Sequence, residues 1–309
     1  QPTVTSIYQD EFGIIWIGTK DGLNRYNGTD FYVFRPVKGD KNSLYNNNIG
    51  TICGDKQGHI YIRCKYAVVE YDIKKNTFHT IRDNDIQAIT YDNARLWVCT
   101  RDSLFTYNRV EDRLDYYYNL EGVRMSCVTE DSAGNLYVGT MNNGLYMIDH
   151  NKKWLNYFPK KDITCIYEDS KKSIWVGTKD DGLFRLDRNG GITNYGTAPH
   201  QNMLSSSYVR CVVEDNLGNY WIGTFKGLDK LDVTTGTFTH YSKDNKPYSL
   251  SNSSIICMMK DRQGTFWIGT YYGGVNLFNP DYEIYTYYYP DESQKGKLTS
   301  PFAGRMTED

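Results

Sequence analysis

The sequence predicts an all-β fold, a seven-bladed β-propeller of four-stranded antiparallel blades, and three observations carry that expectation. First, a short phrase recurs seven times: an aromatic residue, a β-branched residue, a small residue and usually Thr. It reads Trp16-Ile17-Gly18-Thr19, Tyr61-Ile62-Arg63-Cys64, Trp97-Val98-Cys99-Thr100, Tyr137-Val138-Gly139-Thr140, Trp175-Val176-Gly177-Thr178, Trp221-Ile222-Gly223-Thr224 and Trp267-Ile268-Gly269-Thr270. The aromatic anchors are 45, 36, 40, 38, 46 and 46 residues apart, a period that marks one supersecondary unit repeated. Second, an Asp precedes each anchor, at Asp10, Asp55, Asp92, Asp131, Asp169, Asp215 and Asp261. It stands six residues ahead in every copy but the third, where it stands five ahead. Third, aromatic residues make up 15% of the chain, with 28 Tyr, and no long stretch carries apolar residues at helical spacing. Short β-branched and aromatic segments punctuated by turn residues read as strands.

The first copy shows how one blade is written. Val4–Gln9 is a short apolar strand. Asp10 to Gly13 is a turn, because Asp bonds its own backbone two residues on and Gly supplies a positive φ. A second strand covers 14–19, Lys20-Asp21-Gly22 is a tight hairpin turn, and a third strand covers 23–26. Asn27-Gly28 turns again, Phe31–Phe34 is the fourth strand, and a polar loop over 38–48 leads to the next copy. In the third copy Arg95 stands where the turn Gly is expected, and in the fifth Lys172 does. Six residues before the turn Asp stand Val4, Ile49, Ile86, Met125, Ile163, Val209 and Ile255; three before it stand Ile7, Ile52, Ile89, Val128, Ile166, Val212 and Met258. An even and an odd offset point to opposite faces of a strand, so both faces of the first strand are expected to be apolar.

The bulk numbers exclude several functions. Lys plus Arg total 35 against 37 Asp plus Glu, a net charge of −2, and no run reaches five like charges. That argues against nucleic acid or an anionic membrane as a partner of this segment. No apolar run approaches the ~20 residues of a membrane span. Repeats cover nearly all of the 309 residues, so 1–297 is expected to be one propeller. Residues 298–309 align without a gap on 204–215 and are expected to be the first strand of an eighth repeat, the start of a second propeller.

The composite repeat is Val-x-x-x-x-Glu-Asp, a turn with Gly, Leu-Trp-Ile-Gly-Thr and then Gly-Leu-x-x-Tyr-Asp. The sixth copy, over 209–232, carries nearly all of it, and the second departs most, with Arg63 for Gly, Cys64 for Thr and Ala67-Val68 for Gly-Leu. This resembles the two-component regulator propeller repeat over residues 4–309. The resemblance implies the periplasmic sensor region of a hybrid two-component histidine kinase of gut Bacteroidetes. Such proteins carry two propellers, an immunoglobulin-like domain, a membrane helix and a cytoplasmic kinase. It further implies an oligosaccharide ligand, control of polysaccharide-use genes, and a homodimer in the full-length receptor. As partners in the same chain it implies a second propeller and the immunoglobulin-like domain.

Four of the seven cysteines, Cys127, Cys165, Cys211 and Cys257, stand four residues before the turn Asp. Ser6, Thr51 and Ala88 fill that slot in the other copies, so it reads as a small-residue packing position holding free thiols. The five His lack metal-ligand spacing, so no metal and no cofactor is expected. No nucleophile elbow and no catalytic constellation is legible, so no residue is assigned a catalytic role. A paired-carboxylate glycosidase is the enzyme alternative, and it requires carboxylates clustered in the central channel.

A ligand is expected on the face bearing the turns between second and third strands and the connections between blades, where the repeats diverge. The tips carry Lys20 and Asp21, Lys65 and Tyr66, Arg101 and Asp102, Asn142 between Met141 and Asn143, Lys179 and Asp180, Phe225 and Lys226, and Tyr271 and Tyr272. Aromatic faces stack on sugars, amides and charges bind hydroxyls, and Arg or Lys would suit uronates or sulfates. As exposed hairpin tips, the same residues would be polar in any propeller. Tyr clusters at 116–118 and 285–289 fall on the outer strand, as edge packing or as a partner interface. Three readings follow: a glycan sensor, a scaffold that only docks another domain or a second copy, and a polysaccharide-acting enzyme.

Overall fold

The computed structural model describes residues 3–196, 202–244 and 249–280. Six four-stranded sheets and one three-stranded sheet, each antiparallel and in sequence order, form seven blades. The expected fourth strand of blade seven, the Tyr cluster at 285–289 and the segment 298–309 fall outside the described residues. Blade one consists of β1 (Val4–Gln9), β2 (Ile15–Thr19), β3 (Gly22–Tyr26) and β4 (Phe31–Phe34).

The recurring phrase has one job per residue. In blade six, Asp215 Oδ1 accepts the backbone N–H groups of Leu217 and Asn219, and Oδ2 accepts the Trp221 indole N–H at 3.0 Å. Asp10, Asp169 and Asp261 do the same for Trp16, Trp175 and Trp267. The turn carboxylate thus satisfies the turn and fixes the buried anchor at once. At the other end of the strand, the Thr224 hydroxyl donates to the Gly227 carbonyl at 2.9 Å, closing the hairpin tip.

The glycine between them receives the neighbouring blade. A Cβ on Gly223 would lie 2.7 Å from Ile255 Cγ2 and 2.5 Å from Cys211 Sγ, so only Gly admits that approach. Gly18 receives Ile49, Gly139 receives Ile163, Gly177 receives Val209, and Gly269 receives Val4. This last contact joins blade seven to blade one and closes the ring. Arg262 reinforces it by donating to the carbonyls of Asp10 and Glu11. The cysteine slot is the small-residue position that the sequence indicates, with each thiol seated over the facing glycine.

One expectation is corrected. Val4 and Ile7 do not point to opposite faces: Val4 pairs with Thr19, Ser6 with Gly18 and Ile7 with Ile17, with a bulge between Val4 and Ser6. The extra residue resets the alternation, so Val4 and Ile7 share the face packed on blade seven, with Ile15, Ile17 and Trp267. Trp16 and Gly18 lie on the other face, toward blade two. Six blades carry this bulge, and blade three does not.

Blade three also lacks a residue in its first turn. Asn93 and Ala94, with φ of 46° and 60°, make a two-residue hairpin of type I′ character. With the Asp displaced from the indole, Trp97 donates instead to buried Glu130 of blade four at 2.7 Å, and Arg95 pairs with the same carboxylate.

Candidate functional site

The bulged residue, five before the turn Asp, faces the ring axis. Thr5, Gly50, Ser126, Thr164, Arg210 and Ile256 come from six blades and border one central cavity of about 600 Å³. That is within the range of small-ligand sites. The bulge also frees a carbonyl of the first strand, and the preceding blade satisfies it. Ser126 Oγ donates to the Ile163 carbonyl at 2.7 Å, Thr164 Oγ1 to that of Val209 at 2.5 Å, and Arg210 Nη1 to that of Ile255 at 3.1 Å.

The cavity opens on the expected face, and four cations border it: Lys20, Arg63, Lys65 and Arg210. No carboxylate borders it among the described residues, and none of these four cations forms an ion pair with a described residue. Arg63 occupies the repeat's glycine slot. It fits because the first strand of its own blade supplies Gly50, where a Cβ would overlap the guanidinium. Its Nη1 donates to the Lys65 carbonyl at 3.0 Å, while Nε is buried without a partner, as is Thr5 Oγ1 on the same wall. Burial works against the Arg63 charge and lowers its pKa, yet a guanidinium stays protonated in a protein. Arg210 is held by Ser254 Oγ at 2.8 Å and lies 4.5 Å from the Tyr208 ring centroid and 5.1 Å from that of Phe225.

Of the hairpin-tip residues, Lys20, Lys65 and Tyr66 line this cavity, and Phe225 stands beside its Arg210. The others do not border it. Asp21 pairs with Arg35 at 2.8 Å, and that partner's hydrogen bond and charge hold its carboxyl low. The Arg101 amide donates to Asp85, and Asp102 accepts from Ser103 Oγ. Asn142 and Lys179 both turn to Asp162. The Lys226 amide is bound to Thr224 Oγ1, and Asp180 is an exposed tip residue. Tyr271 and Tyr272 form an exposed pair with ring centroids 4.2 Å apart. The long connections fold inward on a buried leucine, Leu44 beside Trp16 and Leu204 beside Trp175. At the outer edge, Tyr117 packs edge-on against Trp97 at 4.8 Å while Tyr116 stays exposed.

Arg63, Arg210 and Thr5 were not legible as site residues. For Thr5 and Arg210 the signal is a slot of mixed polarity between two apolar or small positions, which marks a bulge facing an axis; for Arg63 it is an arginine in the second strand's glycine slot. The seven cysteines are free, and burial pushes the Cys127 and Cys257 thiols up to about 12, so they are unreactive packing groups. No group of His, Cys, Asp and Glu among the described residues could hold a metal.

The two-component regulator propeller model of known families matches residues 1–21, 157–180, 203–226 and 249–272, which are the bulged strands, turns and anchors described above. In these four segments the chain carries two-component regulator propeller repeats. Among solved structures, these propeller repeats superpose on the extracellular domain of a hybrid two-component system from B. thetaiotaomicron, with a TM-score of 0.77 and 27% identity. That match covers 89% of this chain and 39% of the other. A second such extracellular domain from the same organism shares the fold at a TM-score of 0.76 and 22% identity, over 89% of this chain and 38% of its own length. The propeller chain thus spans about two fifths of these solved domains. A stretch of 44 residues, 14% of this chain, is 41% identical to histidine kinase P4 of Formosa agariphila and covers 3% of that protein. Virginiamycin B lyase from Staphylococcus aureus shares the fold at 11% identity and a TM-score of 0.71, over 89% of this chain and 94% of its own. No helix among the described residues is long and apolar enough to cross a membrane.

Proposed function

We propose that this propeller is the periplasmic sensor segment of a hybrid two-component histidine kinase. In this reading it engages an oligosaccharide at the mouth of its central cavity and so controls polysaccharide-use genes. The observation that carries the reading is the cavity of about 600 Å³, bordered by six blades on the face that bears the hairpin tips. The repeats matched to two-component regulators and the likeness to extracellular domains of hybrid systems support the signalling context. A glycosidase would need paired carboxylates in the channel, and the cavity wall presents cations instead. In the full receptor, a second propeller, an immunoglobulin-like domain and a homodimer complete the assembly that this reading implies.

The test is a thermal-shift screen of this chain against glycosaminoglycan, pectin, arabinan, xylan and mannan oligosaccharides, with hits confirmed by calorimetry. Saturable binding without product formation is the expected result; no binding by any oligosaccharide would sink the reading for this propeller. A specific observation favours the scaffold alternative. The outer strands of blades one, four and five expose Phe31 and Tyr32, Trp154 and Leu155, and Ile192, apolar side chains on sheet edges of the kind that dock a partner domain.

A further inference from the structure

We infer that the cavity mouth is an oxyanion site, and that the sensed oligosaccharide is acidic, presenting a carboxylate or sulfate ester to Arg63 and Arg210. This rests on the sensor reading above for the sugar, though the anion site stands on its own geometry. Four cations meet at one cavity in a chain of net charge −2, and no carboxylate borders it among the described residues. Elsewhere on this molecule arginines find acids: Arg95 pairs with Glu130, Arg109 with Glu70, Arg185 with Asp187. Arg63 does not, and its Nε is buried without an acceptor.

A half-buried guanidinium with an unmet donor is destabilising unless an acceptor arrives. Replacing the repeat's Gly by Arg, with Gly50 opposite to make room, sets that cost aside for a ligand. Thr5 Oγ1, the second buried atom without a partner on this wall, adds a hydroxyl that can donate to the same oxyanion. Arg210 is pre-positioned by Ser254 and Ile255 through Nη1 alone, and its other guanidinium donors make no bond among the described residues. Planar guanidinium groups match carboxylate and sulfate oxygens in pairs. Lys20 and Lys65, exposed at the rim, draw the anion in and make the affinity fall with salt.

The experiment is calorimetry of this chain with three probes: sodium sulfate, acidic oligosaccharides from pectin and glycosaminoglycan, and neutral oligosaccharides from arabinan, xylan and mannan. Each is repeated on Arg63→Gln, Arg210→Gln and the surface variant Lys65→Gln, with circular dichroism and melting to certify folding. Acidic oligosaccharides should bind saturably, weaken with salt, and lose about tenfold or more in affinity on removal of either arginine. Lys65→Gln should weaken binding less. If sulfate binds and is lost in Arg63→Gln while no oligosaccharide binds, the anion site stands and the sugar reading falls. If neutral oligosaccharides bind equally to the parent and the arginine variants, the sugar reading stands and the anion site is overturned. Failure of every anion to bind also overturns it.

Discussion

Blade six and blade two are built on the same frame and have been spent differently. In blade six the phrase is intact: Asp215 holds Trp221, Gly223 takes in Ile255, and Thr224 closes the tip. In blade two the anchor is Tyr61, which has no indole N–H for Asp55; His59 takes that carboxylate instead. Arg63 fills the glycine slot, and Cys64 cannot cap the hairpin as Thr does. Blade six shows what the fold requires, and blade two shows where the requirement can be relaxed. The relaxation is local: a glycine is moved from the second strand to the first, and an arginine is placed on the ring axis. The least regular repeat therefore supplies two of the four cavity cations, Arg63 and Lys65.

Four substitutions would break or sharpen this contrast. The largest effect is expected at the intact anchor. Trp221→Ala removes a fully buried indole and strands the Asp215 carboxylate, and should cost about 3–5 kcal/mol in denaturant unfolding. A loss below about 1 kcal/mol would show that the ring tolerates a missing anchor. Next comes the glycine slot. Gly223→Ala should cost about 1–3 kcal/mol, because its Cβ meets Ile255 and Cys211. By contrast, Arg63→Gln, at the equivalent slot, should shift stability by less than about 1 kcal/mol, because it removes a charge with an unmet donor. Equal costs at the two sites would mean that Arg63 is structural. The smallest effect is a gain. Lys172 sits at φ 67° where Gly13, Gly134, Gly218 and Gly264 hold the same turn position. Lys172→Gly should raise the midpoint of unfolding by about 0.5–1 kcal/mol equivalent, and a loss would show that its side chain contributes more than the backbone strain.

Much of the fold was legible because each signal is local. The turn Asp and its anchor recur at a nearly constant spacing, which marked the repeat and its turns, although the bond from the indole to that carboxylate came only from the structure. The cysteine slot was read as packing, and the thiols do lie over glycines. The first-strand faces were misread because a bulge breaks period-two alternation, and only the register of Val4 with Thr19 and Ser6 with Gly18 reveals it. The rim was read from divergence between copies, which gathered thirteen residues on one face. Only Lys20, Lys65 and Tyr66 of these border the cavity, because divergence reports freedom from constraint and says nothing of distance to the axis.

The sequence by itself determined the repeat, its seven copies, the turn chemistry and the slot that each residue type fills. These are interactions between residues within one blade or between consecutive blades. The tertiary structure alone decided two things. One is closure, in which Cys257 and Gly269 meet Val4 across 253 or more residues. The other is the convergence of Lys20, Arg63 and Arg210 on one cavity. Both depend on the ring coming round on itself, and that geometry is a sum of small inter-blade rotations that no single repeat encodes.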